Sequence, residues 1–95
     1  MVIIAGRMGV LPESREKAIE AMQKVVTATY ADEGRLMYEF YEDVSEPNTF
    51  FIYEEWTTQA LLDTHIAQPH TKEFLNVIGS LLASPMKVKR YEVSD

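Results

Sequence analysis

Cysteine is absent from the chain. That excludes a disulfide framework, a thiolate metal centre and a cysteine nucleophile, and it suits a reducing compartment. Positive charge is scarce: 9 Lys and Arg stand against 15 Asp and Glu, for a net charge of −6. An acidic surface repels phosphate, so neither nucleic acid nor anionic membrane is expected as a partner. No apolar run approaches the ~20 residues of a membrane span. The opening MVIIAGRMGV is interrupted by Arg7 too soon for a signal peptide, so a cytoplasmic protein is the expectation. Repeats, linkers and low-complexity segments are missing, and 95 residues make a single domain, residues 1–95. A domain this small buries a modest share of its surface and gains from a partner subunit. The rarest side chains are the single Trp and the two His. All three fall in EEWTTQALLDTHIAQPHTKEFL, Glu54 to Leu75, and this concentration marks the candidate site.

Val2 to Val10 is an apolar run of strand length containing Gly6 and Gly9. Glycines inside a strand often mark a close approach by another group. Pro12 and Ser14 both signal a helix start. From Glu13 to Ala31, Ala18, Met22, Val25, Val26 and Thr29 recur at helical spacing, and Asp32-Glu33-Gly34 ends the helix with Gly34 as the C′ residue. Arg35 to Val44 reads as a strand, with Leu36, Tyr38 and Phe40 on one face and Met37, Glu39 and Tyr41 on the other. SEPNT supplies a turn centred on Pro47 and Asn48. The strand Phe50 to Trp56 follows, with Phe50, Ile52, Glu54 and Trp56 on one face and Phe51, Tyr53 and Glu55 on the other. Thr57 or Thr58 caps a short helix to Ala67 with Leu61, Leu62, His65 and Ile66 as its apolar stripe. Pro69 interrupts, and a second helical segment runs from His70 to Leu82 with Phe74, Val77, Ile78 and Leu81 at core spacing. Ser84-Pro85 breaks it before a last strand, Lys87 to Val93.

The order β-α-β-β-α-β predicts an α+β fold: a ferredoxin-like protomer with a four-stranded antiparallel sheet, helices on one face, and the first and third strands central. A sheet with one wet face should alternate cleanly. This one does not, because Met37, Tyr41, Phe51 and Tyr53 make the second face apolar as well. No element remains to cover it, so a two-fold homodimer is expected.

The strand-end E-x-W of Glu54-Glu55-Trp56, the short helix carrying His65, and the Q-P-H of Gln68-Pro69-His70 resemble the antibiotic biosynthesis monooxygenase family. DEGRLMYEFYEDV resembles that family's entry into its second strand, and the preceding β-α unit also fits. The resemblance implies a dimeric α+β barrel built from two sheets, with a pocket between sheet and helices. It also implies cofactor-independent oxidation of a quinol-like or polyphenolic aromatic by molecular oxygen. Phe50 to Glu54, F-x-I-Y-E, also looks like an isomerase branch acting on small hydroxy-carbonyl signalling compounds. The haem-degrading branch carries an Asn on its first strand; residues 1–10 here contain none, so haem degradation is not implied.

His65 has an ordinary pKa of roughly 6.5 and suits a base near neutrality. On a face with Leu61 and Leu62 it should point toward the sheet, where an imidazole could deprotonate a bound phenol or stabilise its anion. The alternative is a structural histidine bonded to a carboxylate such as Glu54. Glu54, on an otherwise apolar face, needs a partner; His65 and Arg7 are candidates, and a His65–Glu54 pair would fix the imidazole tautomer. Trp56, Tyr38, Phe40, Phe50 and Ile52 could form a slot for a planar ring, or could simply be core. His70 could line the pocket mouth or cap the second helical segment. A metal held by the two histidines with Glu54 or Asp63 is disfavoured, because their spacing of five with a proline between differs from the i, i+4 pair of a metal-binding helix. The expectation is therefore catalysis by His65 and Glu54, with no metal and no cofactor. A ligand-binding dimer without chemistry is the remaining option.

Overall fold

A computed structural model describes residues 1–94. Strands β1 (Val2–Gly9), β2 (Arg35–Glu42), β3 (Thr49–Trp56) and β4 (Lys87–Glu92) and helices α1 (Arg15–Thr29), α2 (Gln59–Ala67) and α3 (Pro69–Gly79) follow in the order β1-α1-β2-β3-α2-α3-β4. The sheet order is β2-β3-β1-β4, and every pairing is antiparallel. β1 and β3 are central, and the fold is the α+β ferredoxin-like arrangement that the sequence predicts.

The inner face carries Tyr38 and Phe40 of β2, Phe50, Ile52, Glu54 and Trp56 of β3, and Val2 and Met8 of β1. Trp56, Tyr38, Ile78 and Val25 are the largest apolar side chains sealed in the core. Each contributes ~2–3 kcal/mol of hydrophobic free energy. Gly6 sits opposite Ile52 and Val88; an added Cβ would lie 2.9 Å from Ile52 Cγ2, so this glycine makes the room that the sequence suggests. α1 buries Ala18, Met22, Val25 and Thr29, a 4-3-4 spacing that keeps one stripe on the core.

Several boundaries differ from the sequence reading. Pro12–Ser14 forms a separate 3₁₀ turn, and α1 stops at Thr29. Gly34 has the positive φ of +86° expected of it, but in the turn beyond the helix and not at C′. Its second constraint is spatial: an added Cβ would meet Leu61 Cβ at 2.7 Å. Leu36 leaves the face of Tyr38 and Phe40, because the register shifts between Arg35 and Met37 and exposes it. Thr58, not Thr57, caps α2 through the Leu61 N–H. α3 ends at Gly79, and Leu82 instead bridges to Val10.

The outer sheet face has no cover within the protomer. Tyr41, Phe51, Arg7 and Lys87 lie in register across it, as do Met37, Glu55, Ile3 and Tyr91. Tyr41 and Tyr91 are about half exposed, at 51% and 48%. Among the described residues, no helix is long and apolar enough to cross a membrane.

Candidate active site

The junction of α2 and α3 builds the site. In one continuous helix, residues five apart point about 140° away from each other. Pro69 prevents continuity: Gln68 adopts an extended conformation with ψ 144°, as residues before proline do. Pro69 then opens α3 at a position that needs no N–H partner. The His65 carbonyl closes the corner, accepting from the Gln68 N–H at 3.0 Å and the Thr71 hydroxyl at 2.7 Å. The break turns His65, on the last turn of α2, and His70, on the first turn of α3, toward the same carboxylate.

That carboxylate is Asp32. Its Oδ2 lies 2.7 Å from His65 Nδ1 and 2.8 Å from His70 Nε2. Asp32 stands in the turn between α1 and β2, which is docked on the start of α2: the Thr57 N–H donates to the Gly34 carbonyl at 2.9 Å. Asp32 and His65 are buried and His70 is partly exposed.

The expected His65–Glu54 pair does not form. Glu54 Oε1 accepts from the Trp56 indole N–H at 2.8 Å, and Asp32 takes the orienting role given to Glu54. Arg7, the other candidate partner, lies on the outer face and pairs with Asp43 and Glu46 at 3.2 and 3.3 Å. The reason is register: Arg7 faces Phe51, on the side of the sheet opposite Glu54.

Between sheet and helices lies a cavity of ≈ 220 Å³ bounded by Ile4, Tyr38, Phe40, Ile52, Leu62, Phe74 and Val88, with Glu54, His65 and Thr71 as its polar groups. Among the described residues no Lys or Arg lines it. Of the expected ring-binding residues, Tyr38, Phe40 and Ile52 line this cavity. Trp56 is sealed behind it, packing its indole on the His65 imidazole with centroids 4.5 Å apart. Phe50 lines a different cleft, against α1, and His70 lines an outer groove between α1 and α3. Tyr38 meets His65 edge-on at 5.1 Å, and Phe40 bridges Tyr38 and Phe74.

Burial sets the charge states. It pushes the Glu54 carboxyl up to about 7, against a smaller opposing effect of the Trp56 hydrogen bond. It also pushes the His65 imidazolium down, only partly offset by Asp32. The Tyr38 phenol is driven far up by burial and by the Glu54 and Asp32 charges, so it stays neutral. At neutral pH the cavity thus holds a neutral imidazole beside a carboxyl that both gives and takes protons readily. Two acid–base groups so tuned in one largely apolar pocket are the usual equipment of proton-transfer catalysis.

Asp32 Oδ2, His65 Nδ1 and His70 Nε2 lie within 4.8 Å of one another and are the donor set that could hold a metal ion. Both nitrogens stand at hydrogen-bond distance from one oxygen, which is the geometry of two N–H donors on a shared acceptor. Asp32 was not a candidate in the sequence. In Asp32-Glu33-Gly34 it reads as a helix stop, 33 residues before His65.

Known proteins supply the family. The antibiotic biosynthesis monooxygenase profile matches residues 1–77. Over 94 residues the chain is 33% identical to the uncharacterized protein sll1783 of Synechocystis sp., covering 99% of this chain and 64% of that protein's length. It is also 33% identical to Bacillus subtilis YcnE, provisionally named a monooxygenase, over the whole of both chains. A crystal structure from Deinococcus radiodurans, provisionally described as an antibiotic biosynthesis monooxygenase, superposes with a TM-score of 0.93 at 27% identity, covering 100% of this chain and 94% of that one. With a profile spanning most of its length and an end-to-end relative at that identity, the chain belongs to the antibiotic biosynthesis monooxygenase family.

Proposed function

We propose that the protein is a cofactor-independent monooxygenase that oxidises a neutral, ring-sized quinol or polyphenol with molecular oxygen. The observation that carries this reading is that Glu54 and His65, two acid–base groups with shifted pKa values, line the same largely apolar cavity. Family membership makes a monooxygenase-like activity the starting point; the cavity narrows the substrate. Its apolar walls suit a flat ring, and a buried carboxylate with no neighbouring Lys or Arg disfavours anionic ligands.

His65 Nε2 takes a phenolic proton, and the resulting electron-rich phenolate reduces O₂ directly. The new C–O bond at the adjacent ring carbon gives a peroxide. His65 returns its proton to that peroxide and then takes the ring C–H proton as the O–O bond breaks, leaving a carbonyl on carbon. Glu54 protonates the departing hydroxide to water and regains its proton from His65. For a benzenediol the sum is C₆H₆O₂ + O₂ → C₆H₄O₃ + H₂O. Preorganised groups in a dry site stabilise such developing charge far better than water does. Asp32 orients His65 from behind.

The uncovered outer face, where Met37, Tyr41, Phe51 and Tyr91 lie among charged side chains, supports a homodimer formed sheet to sheet. Sedimentation should return twice the protomer mass, and Phe51→Glu should return a monomer.

Oxygen uptake by metal- and flavin-free protein, across a panel of quinols and corrected for autoxidation, tests the reaction. Uptake that vanishes in His65→Ala is the expected result. The same two groups also suit isomerisation of a small hydroxy-carbonyl compound, which needs one proton removed and one returned. Turnover under argon would favour that reaction and contradict the oxygenase. Binding without conversion in either atmosphere would leave a ligand-binding protein.

A further inference from the structure

Both histidines of the chain end on one oxygen of Asp32, yet they face different spaces. His65 lines the inner cavity. His70 has a side chain 24% exposed and lines the groove between α1 and α3 beside Lys24, Glu73 and Phe74. Asp32 is therefore the joint between the cavity and the outside of the helical layer. A carboxylate oxygen offers two lone pairs, and each can accept one N–H. With both pairs taken, His65 carries its proton on Nδ1 and leaves Nε2 unprotonated, 3.5 Å from the Thr71 hydroxyl oxygen, while His70 carries a proton on Nε2.

We propose that His70 is a positioning residue for the cavity base: by occupying half of the Asp32 acceptor, it fixes how Asp32 meets His65 and so sets the tautomer and charge of that imidazole. This rests on reading His65 as the base. An Asp32 carboxylate directed at His65 alone would favour the imidazolium, which has no lone pair with which to take a proton. His70 divides that support by taking half of the same oxygen. The other titratable groups facing His65 are Glu54 from β3 and Tyr38 from β2. Those around His70 are Lys17, Glu20 and Lys24 of α1 and Glu73 of α3, of which Lys24 and Glu73 pair with each other at 2.7 Å. Proton or ligand traffic in the outer groove is thereby felt at the cavity base without entering the cavity.

Long-range ¹⁵N–¹H imidazole spectra of ¹⁵N-histidine-labelled protein, followed over pH, test this without any assay of turnover. In the unmodified protein His65 should be the Nδ1–H tautomer. In His70→Ala its titration midpoint should move up. In His70→Gln, which keeps an N–H donor for Asp32, the midpoint should return toward the original value. The acid limb of the activity profile should move with it. Identical His65 tautomer and midpoint in all three proteins would overturn the positioning role, and so would a shift in His70→Ala with no recovery in His70→Gln. Full turnover in His65→Ala would instead remove the base reading, whatever these spectra contain.

Discussion

Two hollows lie side by side in the helix–sheet layer and share Phe40 as a wall. The wider, ≈ 440 Å³, runs between α1 and the edge strand β2 past Arg15, Glu42 and Phe50. The narrower, ≈ 220 Å³, holds Glu54 and His65. Each contains one glutamate of the inner sheet face, in opposite states. Glu42 is grasped by the Arg15 guanidinium at the solvent edge, and that hydrogen bond holds it below the ordinary carboxylate range. Glu54 has only an indole N–H, and burial drives it up to about 7. Water and a cation make one residue type inert; their removal makes it reactive. The proposed site is thus the smaller of the two hollows.

The largest expected effect separates the hollows by catalysis. His65→Ala should lower turnover by ~10²–10⁴-fold, the usual weight of a general base, whereas Arg15→Ala should leave turnover unchanged. Steady-state oxygen uptake reads both; equal losses would erase the distinction. Glu54→Gln should reduce turnover and also flatten the alkaline limb of kcat/KM. That limb should fall near pH 7 in the unmodified protein, where Glu54 loses its proton. The acid limb should reflect His65.

Next in size are stability effects. Trp56→Phe removes the donor to Glu54 Oε1 and should cost ~1–3 kcal/mol in chemical denaturation. Glu54 also gives a signed pH effect. Its pKa rises from 4.5 unfolded to about 7 folded, so the folded state binds the extra proton between those values. Its contribution is complete below pH 4.5 and is lost as pH rises through 7, up to about 3 kcal/mol. His65 acts with the opposite sign: its pKa is lowered on folding, so stability is lost as pH falls below the ordinary histidine range. In Glu54→Gln only the His65 trend remains, and denaturation midpoints should climb from pH 5 to 7. The smallest effect closes the series: Arg15→Gln breaks an exposed pair and should leave the melting temperature unchanged.

The element order, the central strands and the candidate segment were legible because periodicity, proline and glycine act locally. Tyr38, Phe40, Ile52, Glu54 and His65 were all named from alternation and helical spacing, and they meet in one cavity. What lay beyond the sequence was pairing at a distance. The turn carrying Asp32 docks on α2 where Gly34 leaves room for Leu61 and accepts from the Thr57 N–H, and no periodicity encodes that docking. Phe50 and Ile52 share a strand face, yet α1 parts them into different hollows. Trp56 sits on that same face, but the last turn of α2 covers it with His65 itself.

The central claim is that the narrower hollow is where the ring binds. It is tested most directly by methyl NMR during an anaerobic titration with 1,4-dihydroxynaphthalene. Saturable shifts at Ile4, Ile52, Leu62 and Val88, with the His65 ring moving in step, are expected. Shifts confined to Ile19, Met22 and Val26, with those cavity methyls unmoved, would place binding in the wider cleft and contradict the assignment of Glu54 and His65.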